Sequence, residues 1–421
     1  MLDIKFIRDN SDKVISNTRR KNSDADINAL LDLDNQRRQI IQSVEELKSQ
    51  RNTVSAEVAR KKKSGENADE LITAMRDVSA TIKSEDERLR DIDEEMEQLG
   101  LSIPNMLHES VPDGRTSEDN VEIRRSGELL EKGFRKDHLT ISQQLGLHDF
   151  ERGAKITGSG FPVYTGIGAR LERALINYFL DFNREQAGFH EMMVPFVVNR
   201  ASMTGTGQLP KFAEDMYRCD ADELYLIPTA EVPLTNYHAG EILPESDLTI
   251  RYTTYTPCFR REAGSYGKDT RGFQRLHQFN KVEMVAFTRP EDSYNELESF
   301  VSHVEQLLAS LNLTYRVILL CAGDTTFGSA KTYDLEVWSP VEQKWLEVSS
   351  CSNFEEFQAR RAGIKYRPRE GGKASFVHTL NGSALATPRI IVSLLETCQR
   401  EDGSLELPAV LEPYLGFTKI G

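Results

Sequence analysis

Leu33, Ile40, Val44, Leu47, Val54 and Val58 follow an alternating four-three spacing, with Arg37 and Arg51 interrupting it. A second run holds the same spacing through Leu71, Met75, Val78, Ile82, Leu89, Ile92, Met96 and Leu99, broken only by Glu85. Two apolar seams sustained for about four heptads each predict coiled-coil packing. No proline occurs before Pro104, and no glycine between Asn22 and Ser64, a composition that only a helix tolerates for so long. A short Gly-containing turn within KKKSGENADE should fold the two helices back antiparallel, as a rod about 50 Å long at about 1.5 Å rise per residue.

The pattern changes after Leu101. IPN, VPDG and GSGFP supply turns up to about Phe161, which places a boundary between an amino-terminal domain, 1–105, with its arm at about 27–100, and a main body, 106–421. Residues 1–26 are expected to pack back on the base of the arm or on the body. Beyond Pro162, strand-like and helix-like patterns mix without regular βαβ alternation, so an α+β fold with a largely antiparallel sheet flanked by helices is expected. One helix should bury Leu171, Ala174, Leu175, Tyr178 and Phe182. Near the carboxy terminus, HTLNGSALATPR reads as strand, Gly-containing turn and then a helix from about Pro388, with Ile391, Leu394, Leu395 and Cys398 inward.

Composition sharpens this picture. The chain has 421 residues, 28% charged and 39% hydrophobic, which excludes wholesale disorder. No apolar run is long enough to span a bilayer, and the first residues lack the features of a secretory signal. Five scattered cysteines with no CxxC pair read as reduced thiols in a cytoplasmic protein. A net charge of −14 argues against a polyanionic partner, but its distribution argues the other way. Lys48, Arg51, Arg60, Lys61, Lys62 and Lys63 cluster near the arm's tip against a single acid, Glu57, whereas its base is strongly acidic. The arm is either a solvated spacer or a basic probe for a polyanion.

Neither common nucleotide cradle is present. Gly166-Ile167-Gly168 lacks the third glycine of a dinucleotide fingerprint, and Gly267-Lys268 is followed by Asp269 where a P-loop needs Ser or Thr. A hairpin offers other chemistry. Segments 251–262 and 273–287 flank a polar loop, and period-two alternation puts Arg260 with Glu262 on one face and Arg275, Phe279 and Glu283 on the facing strand. Guanidinium forks suit phosphates, a ring face suits a base, and carboxylates suit amino groups or hydroxyls. A salt-bridged solvent face would carry the same residues. Glu347, with Ser349 and Ser350 close behind, can hold a hard cation or form a polar strand edge. Arg389 lies in the first turn of its helix, where free amides favour anions.

Several long stretches together resemble the bacterial-type seryl-tRNA synthetases, class II aminoacyl-tRNA synthetases. They are the two-helix arm, IPN at 103–105, MTGTGQLPKF at 203–212, IPTAEVPLTN at 227–236, FRREAGSYGKDTRGFQRLHQFNKVEM at 259–284, EVSSCSNFEEFQARR at 347–361 and TLNGSALATPR at 379–389. The resemblance implies the class II antiparallel sheet and a homodimer, with Pro195 as the proline of the interface motif or an ordinary proline at the start of a strand. It implies that Thr229, Glu231, Glu283, Asn381 and Ser383 bind serine, with Thr379 in support. For ATP it implies Arg260, Arg261, Glu262, Arg275, Phe279, Glu347, Val348, Ser349, Ser350 and Arg389, with Arg260, Arg275 and Arg389 catalytic and Glu347 and Ser350 holding Mg²⁺. The tRNA(Ser) contacts implied are Arg51, Arg60, Lys61, Lys62 and Lys63 on the arm and Lys268 and Arg271 on the hairpin loop; charging of tRNA(Sec) stays open. Ala384 and Cys398 depart from the usual pattern of the family. A class II homologue that aminoacylates a carrier protein is the alternative; the two heptad seams argue against it.

Overall fold

The computed structural model describes residues 1–263, 272–369 and 371–421. Lys268 and Arg271 lie outside them. The described residues divide into two compact units, one of Met1–Arg19 with Ser23–Pro104 and the other of Arg20–Asn22 with Asn105–Gly421.

In the first unit, α1 (Ile4–Asp9) and α2 (Ser11–Arg20) precede two long helices, α3 (Ile27–Ser64) and α4 (Asp69–Ser102). Gly65 ends α3 in the left-handed conformation, φ 77°, with its N–H on the Lys61 and Lys62 carbonyls, so the one glycine in the tip stands where a side chain would be strained. At 38 residues, α3 is about 57 Å long. The seams meet as the spacing predicts: Ile40, Val44, Ile82 and Ile92 are buried, with Leu33, Leu47, Val78, Leu89 and Met96 packed on them. Arg37, which breaks the first seam, reaches across to Asp93 at 2.6 Å, so the interruption becomes an interhelical ion pair. Towards the tip, Val54, Val58, Leu71 and Met75 are only half-buried. The amino-terminal helix is tied to the base of the pair by Arg8 and Asp34 at 2.8 Å.

The second unit is built on an eight-stranded sheet. Its strands in chain order are β1 (Val121–Ser126), β2 (His190–Glu191), β3 (Ile250–Phe259), β4 (Gln278–Thr288), β5 (Tyr315–Leu319), β6 (Lys331–Ser339), β7 (Lys344–Asn353) and β8 (His378–Ala386). They lie in the order β1-β5-β6-β7-β8-β4-β3-β2, antiparallel throughout except for the short β2–β3 pair. Three helices pack on one face: α5 (Gly166–Ala187), α6 (Ser293–Ser310) and α7 (Thr387–Thr397). Each presents an apolar stripe, such as Leu171, Ala174, Leu175 and Phe179 on α5. Val282, Met284 and Ala286 of β4 point into this core. The odd-numbered residues between them are thereby turned to the opposite face.

Two expectations are corrected. The stretch 378–386 is one continuous strand, not a strand and a turn, and Gly382 lies inside it. A Cβ there would stand 3.0 Å from Cys351 Sγ and from the Phe300 ring, so this glycine serves close packing between sheet and helix. The hairpin strands are also shorter than alternation suggested: β3 ends at Phe259 and β4 begins at Gln278, so Arg260, Glu262 and Arg275 project from the flanking segments. Among the described residues no helix is long and apolar enough to cross a membrane.

Candidate active site

On the open face of the sheet is a cavity of about 650 Å³. Phe279, Lys281 and Glu283 enter it from β4 by period-two alternation, and Asn381 and Ser383 from the neighbouring β8. At one end the groups are buried and charged. Glu283 is wholly buried; its Oε2 lies 2.5 Å from Lys281 Nζ and accepts from Ser383 Oγ at 3.5 Å, while its Oε1 has no partner among the described residues. Lys281 Nζ also donates to Thr229 Oγ1 at 2.8 Å. Glu231 Oε1 accepts from Gln358 Nε2 at 2.6 Å, and the Gln358 Oε1 accepts from Thr379 Oγ1 at 2.7 Å. Burial first, and the Glu283 charge second, push the Glu231 carboxyl up to about 7. This end holds a hydrogen-bond acceptor with nothing to accept and a second carboxylate that favours a cation beside it. Both needs suit a small molecule carrying an ammonium and a hydroxyl.

The other end is open and rich in arginine. Arg260 donates through Nε to the Pro228 carbonyl at 3.3 Å, and its guanidinium lies 5.2 Å from the Phe279 ring centroid. Arg275 pairs with Glu262 at 2.7 Å; Glu262 has φ 53°, a backbone conformation that costs a non-glycine residue about 1 kcal/mol or more and fits its place at the turn out of β3. Arg389, in the first turn of α7, donates to the Glu347 carbonyl at 2.6 Å and stands 3.5 Å from its carboxylate.

Glu347 and Ser350 are three apart, which in a regular strand would put them on opposite faces. Both line the cavity because β7 bulges against β6: Ser349 pairs with Leu335 and Glu347 with Glu336, leaving Val348 extra. Val348 itself packs into the core. Ser350 Oγ donates to Asp334 Oδ1 at 2.6 Å, and burial together with the Glu347 carboxylate raises the Asp334 pKa well above the usual carboxylate range. Ser349 donates to the Ser383 carbonyl at 2.5 Å, fixing β7 to β8.

Thus Thr229, Glu231, Glu283, Asn381, Ser383, Arg260, Glu262, Arg275, Phe279, Glu347, Val348, Ser349, Ser350 and Arg389 all line one cavity. Arg261 does not; its side chain is exposed, and its backbone N–H donates to the Asp215 carbonyl at 2.9 Å. His277 bonds Tyr217 OH through Nδ1 at 2.9 Å and stacks on Phe161, a packing histidine as its surroundings predict. Sequence reasoning missed Lys281, although it shares the parity of Phe279 and Glu283. It also missed Gln358 and Asp334, for which spacing gives no signal. On the arm, Arg60, Lys62 and Lys63 are exposed, and Arg51 and Lys61 half-buried.

An antiparallel sheet with a nucleotide-sized cavity walled by strand-borne carboxylates and flanking arginines is that of a class II aminoacyl-tRNA synthetase core. The description "tRNA synthetase class II core domain (G, H, P, S and T)" matches residues 216–398, and "Seryl-tRNA synthetase N-terminal domain" matches residues 1–107. The chain is 53% identical over 426 residues to the serine–tRNA ligase of Prosthecochloris aestuarii, covering 100% of this chain and 99% of that one. It is 54% identical over 429 residues to the serine–tRNA ligase of Chlorobium chlorochromatii, covering 100% of both. A crystal structure of the seryl-tRNA synthetase of Pyrococcus horikoshii complexed with ATP superposes with a TM-score of 0.95 at 37% identity, over 100% of this chain and 99% of that chain. The chain belongs to the seryl-tRNA synthetase family.

Proposed function

We propose that the chain activates L-serine with ATP, forming seryl-adenylate and pyrophosphate, and transfers the seryl group to the 3′ end of tRNA(Ser). The observation that carries this is one cavity with an ammonium-and-hydroxyl pocket at its buried end and three arginines and an aromatic face at its open end. Its match to relatives that are serine–tRNA ligases and to a structure complexed with ATP supports the same reading.

In this mechanism Glu231 takes the serine ammonium, and the unpartnered Glu283 Oε1 accepts the serine hydroxyl, with Ser383, Thr229 and Asn381 closing the pocket. Lys281 holds Glu283 in place for that bond. Alanine would leave Glu283 Oε1 buried and unpaired, so the hydroxyl is selected by a polar penalty and not by size alone. Phe279 stacks on adenine and Glu262 takes its amino group. Arg275 and Arg389 grip the polyphosphate, and Arg260 draws the serine carboxylate and the α-phosphate together. A carboxylate is a competent nucleophile at neutral pH and needs no general base. Its oxygen attacks the α-phosphorus, the bond from that phosphorus to the bridging oxygen breaks, and pyrophosphate leaves with the electron pair. Catalysis is then alignment and charge stabilisation by Arg260, Arg275 and Arg389. A terminal ribose hydroxyl of tRNA next attacks the seryl carbonyl and AMP departs.

Glu347 and Ser350, with Asp334 behind them, are the residues that would hold Mg²⁺: all are hard oxygen donors, and a serine hydroxyl that donates to Asp334 still has oxygen lone pairs for a cation. The ion, when bound, would neutralise charge on the phosphate oxygens. The basic outer arm would contact tRNA, and a homodimer would cover Met193, 96% exposed, with the half-exposed Phe196 and Val197 beside it. The test is ATP–pyrophosphate exchange across the twenty amino acids, followed by addition of total tRNA. Exchange with serine and seryl transfer to tRNA are expected; exchange with another amino acid, or none, would contradict the proposal.

A further inference from the structure

On the core side of the sheet, behind the cavity, Glu172 of α5 is buried, 5% exposed. It is not used by the mechanism above. Its two oxygens behave differently. Oε1 accepts two short hydrogen bonds, from Asn280 Nδ2 at 2.6 Å and from Thr387 Oγ1 at 2.6 Å. Oε2 is buried and has no partner among the described residues. Asn280 is itself fully held, since its Oδ1 accepts from Tyr255 OH at 2.9 Å, and Thr387 Oγ1 also lies 3.1 Å from the Asn280 carbonyl.

The positions of the two donors give this knot its meaning. Asn280 is the residue of β4 between Phe279 and Lys281, and because alternate residues face opposite ways, its side chain turns to Glu172 while theirs turn to the cavity. Thr387 is the first residue of α7, two before Arg389. One carboxylate oxygen therefore ties the strand carrying the aromatic ring of the nucleotide site to the helix carrying its phosphate-gripping arginine. The first turn of α7 has no side-chain cap of its own, so this external bond is a fixed point for it.

Resting on the function proposed above, we infer that Glu172 is a positioning residue for ATP: through Oε1 it sets the placement of Arg389 relative to Phe279, and it does so as a hydrogen-bond acceptor, not as a charge. Burial pushes this carboxyl up to about 7, consistent with a role that needs no ionisation. An amide oxygen can accept both bonds, and the amide nitrogen would take the place of an oxygen that has no partner to lose.

The test uses the full chain with Glu172→Gln, Glu172→Ala and Thr387→Val, reading the ATP and serine KM values separately in pyrophosphate exchange, ATP affinity by calorimetry, and Tm. Glu172→Ala should raise the ATP KM about tenfold and weaken calorimetric ATP affinity equally, with the serine KM within about twofold. Thr387→Val should move the ATP values in the same direction by less, and Glu172→Gln should keep both near the wild-type values. Equal harm from Gln and Ala would overturn the acceptor role, and parallel rises in both KM values would reduce Glu172 to general support. If Glu172→Ala fails to fold, unchanged ATP values in Thr387→Val overturn the inference. A wild-type chain that binds ATP but shows no serine-dependent exchange would sink the proposed function alone, and the calorimetric ATP affinities of the variants would still decide this one.

Discussion

In the proposed serine pocket Glu283 and Glu231 have different surroundings, which suit different tasks. Glu283 already has a cation, Lys281 at 2.5 Å, so what it lacks is a donor for Oε1. Glu283→Ala removes that acceptor and should raise the serine KM ten- to a hundredfold, about 1–3 kcal/mol, with the ATP KM within about twofold. Pyrophosphate exchange reads both, and equal rises would contradict the assignment. Among the described residues Glu231 has no cation in hydrogen-bond contact and accepts from the Gln358 amide, and its carboxyl is raised to about 7. Only its ionised form pairs with an ammonium, so serine binding draws a proton off it. The serine KM should therefore fall about tenfold from pH 6 to pH 8, where serine's own ammonium stays charged, and Glu231→Gln should leave it high and flat. A serine KM that rises with pH would refute this. Glu283 was legible because a strand alternates its faces, whereas Glu231, at the start of a short helix, was reached only through the resemblance of the motif around it. The same alternation points to Lys281, but its task shows only in its pairing with Glu283 on the same strand. Gln358 could not be read: it reaches Glu231 from a separate helix, 127 positions away in sequence.

Periodicity served the elements unequally. The arm was legible almost to the residue, because two helices that pack along most of their length on each other carry that packing pattern in their own heptads. The sheet was harder. The hairpin strands looked longer than they are because Arg260, Glu262 and Arg275 keep the alternation going beyond the last ladder bonds. The β7 bulge was invisible, since an extra residue shows only when the partner strand is known, yet it alone puts Glu347 and Ser350 on one face. Gly382 misled in the opposite direction: a glycine in a polar stretch reads as a turn, and here it leaves room where a Cβ would stand 3.0 Å from Cys351 Sγ and from the Phe300 ring. Gly382→Val should thus destabilise the protein by about 1–3 kcal/mol, through overpacking of a strand interior. Urea denaturation measures this, and an unchanged midpoint would show that the sheet and helix can part at no cost.

For the whole molecule, net charge was the least informative number. A chain of net charge −14 looks unsuited to a polyanion, but the exposed Arg60, Lys62 and Lys63 stand at the arm's tip, while the acids of the base, Glu94, Glu95 and Glu97 among them, sit at the other end of α4. Local potential within a Debye length of about 8–10 Å, not the total, governs such a contact. In the proposed function the second unit carries the chemistry and the first selects tRNA, through the shape and backbone of the nucleic acid. Removing residues 30–97 and following both half-reactions tests that division most directly. Serine-dependent ATP–pyrophosphate exchange should persist while seryl-tRNA formation disappears; a shortened chain that still charges tRNA(Ser) would contradict it.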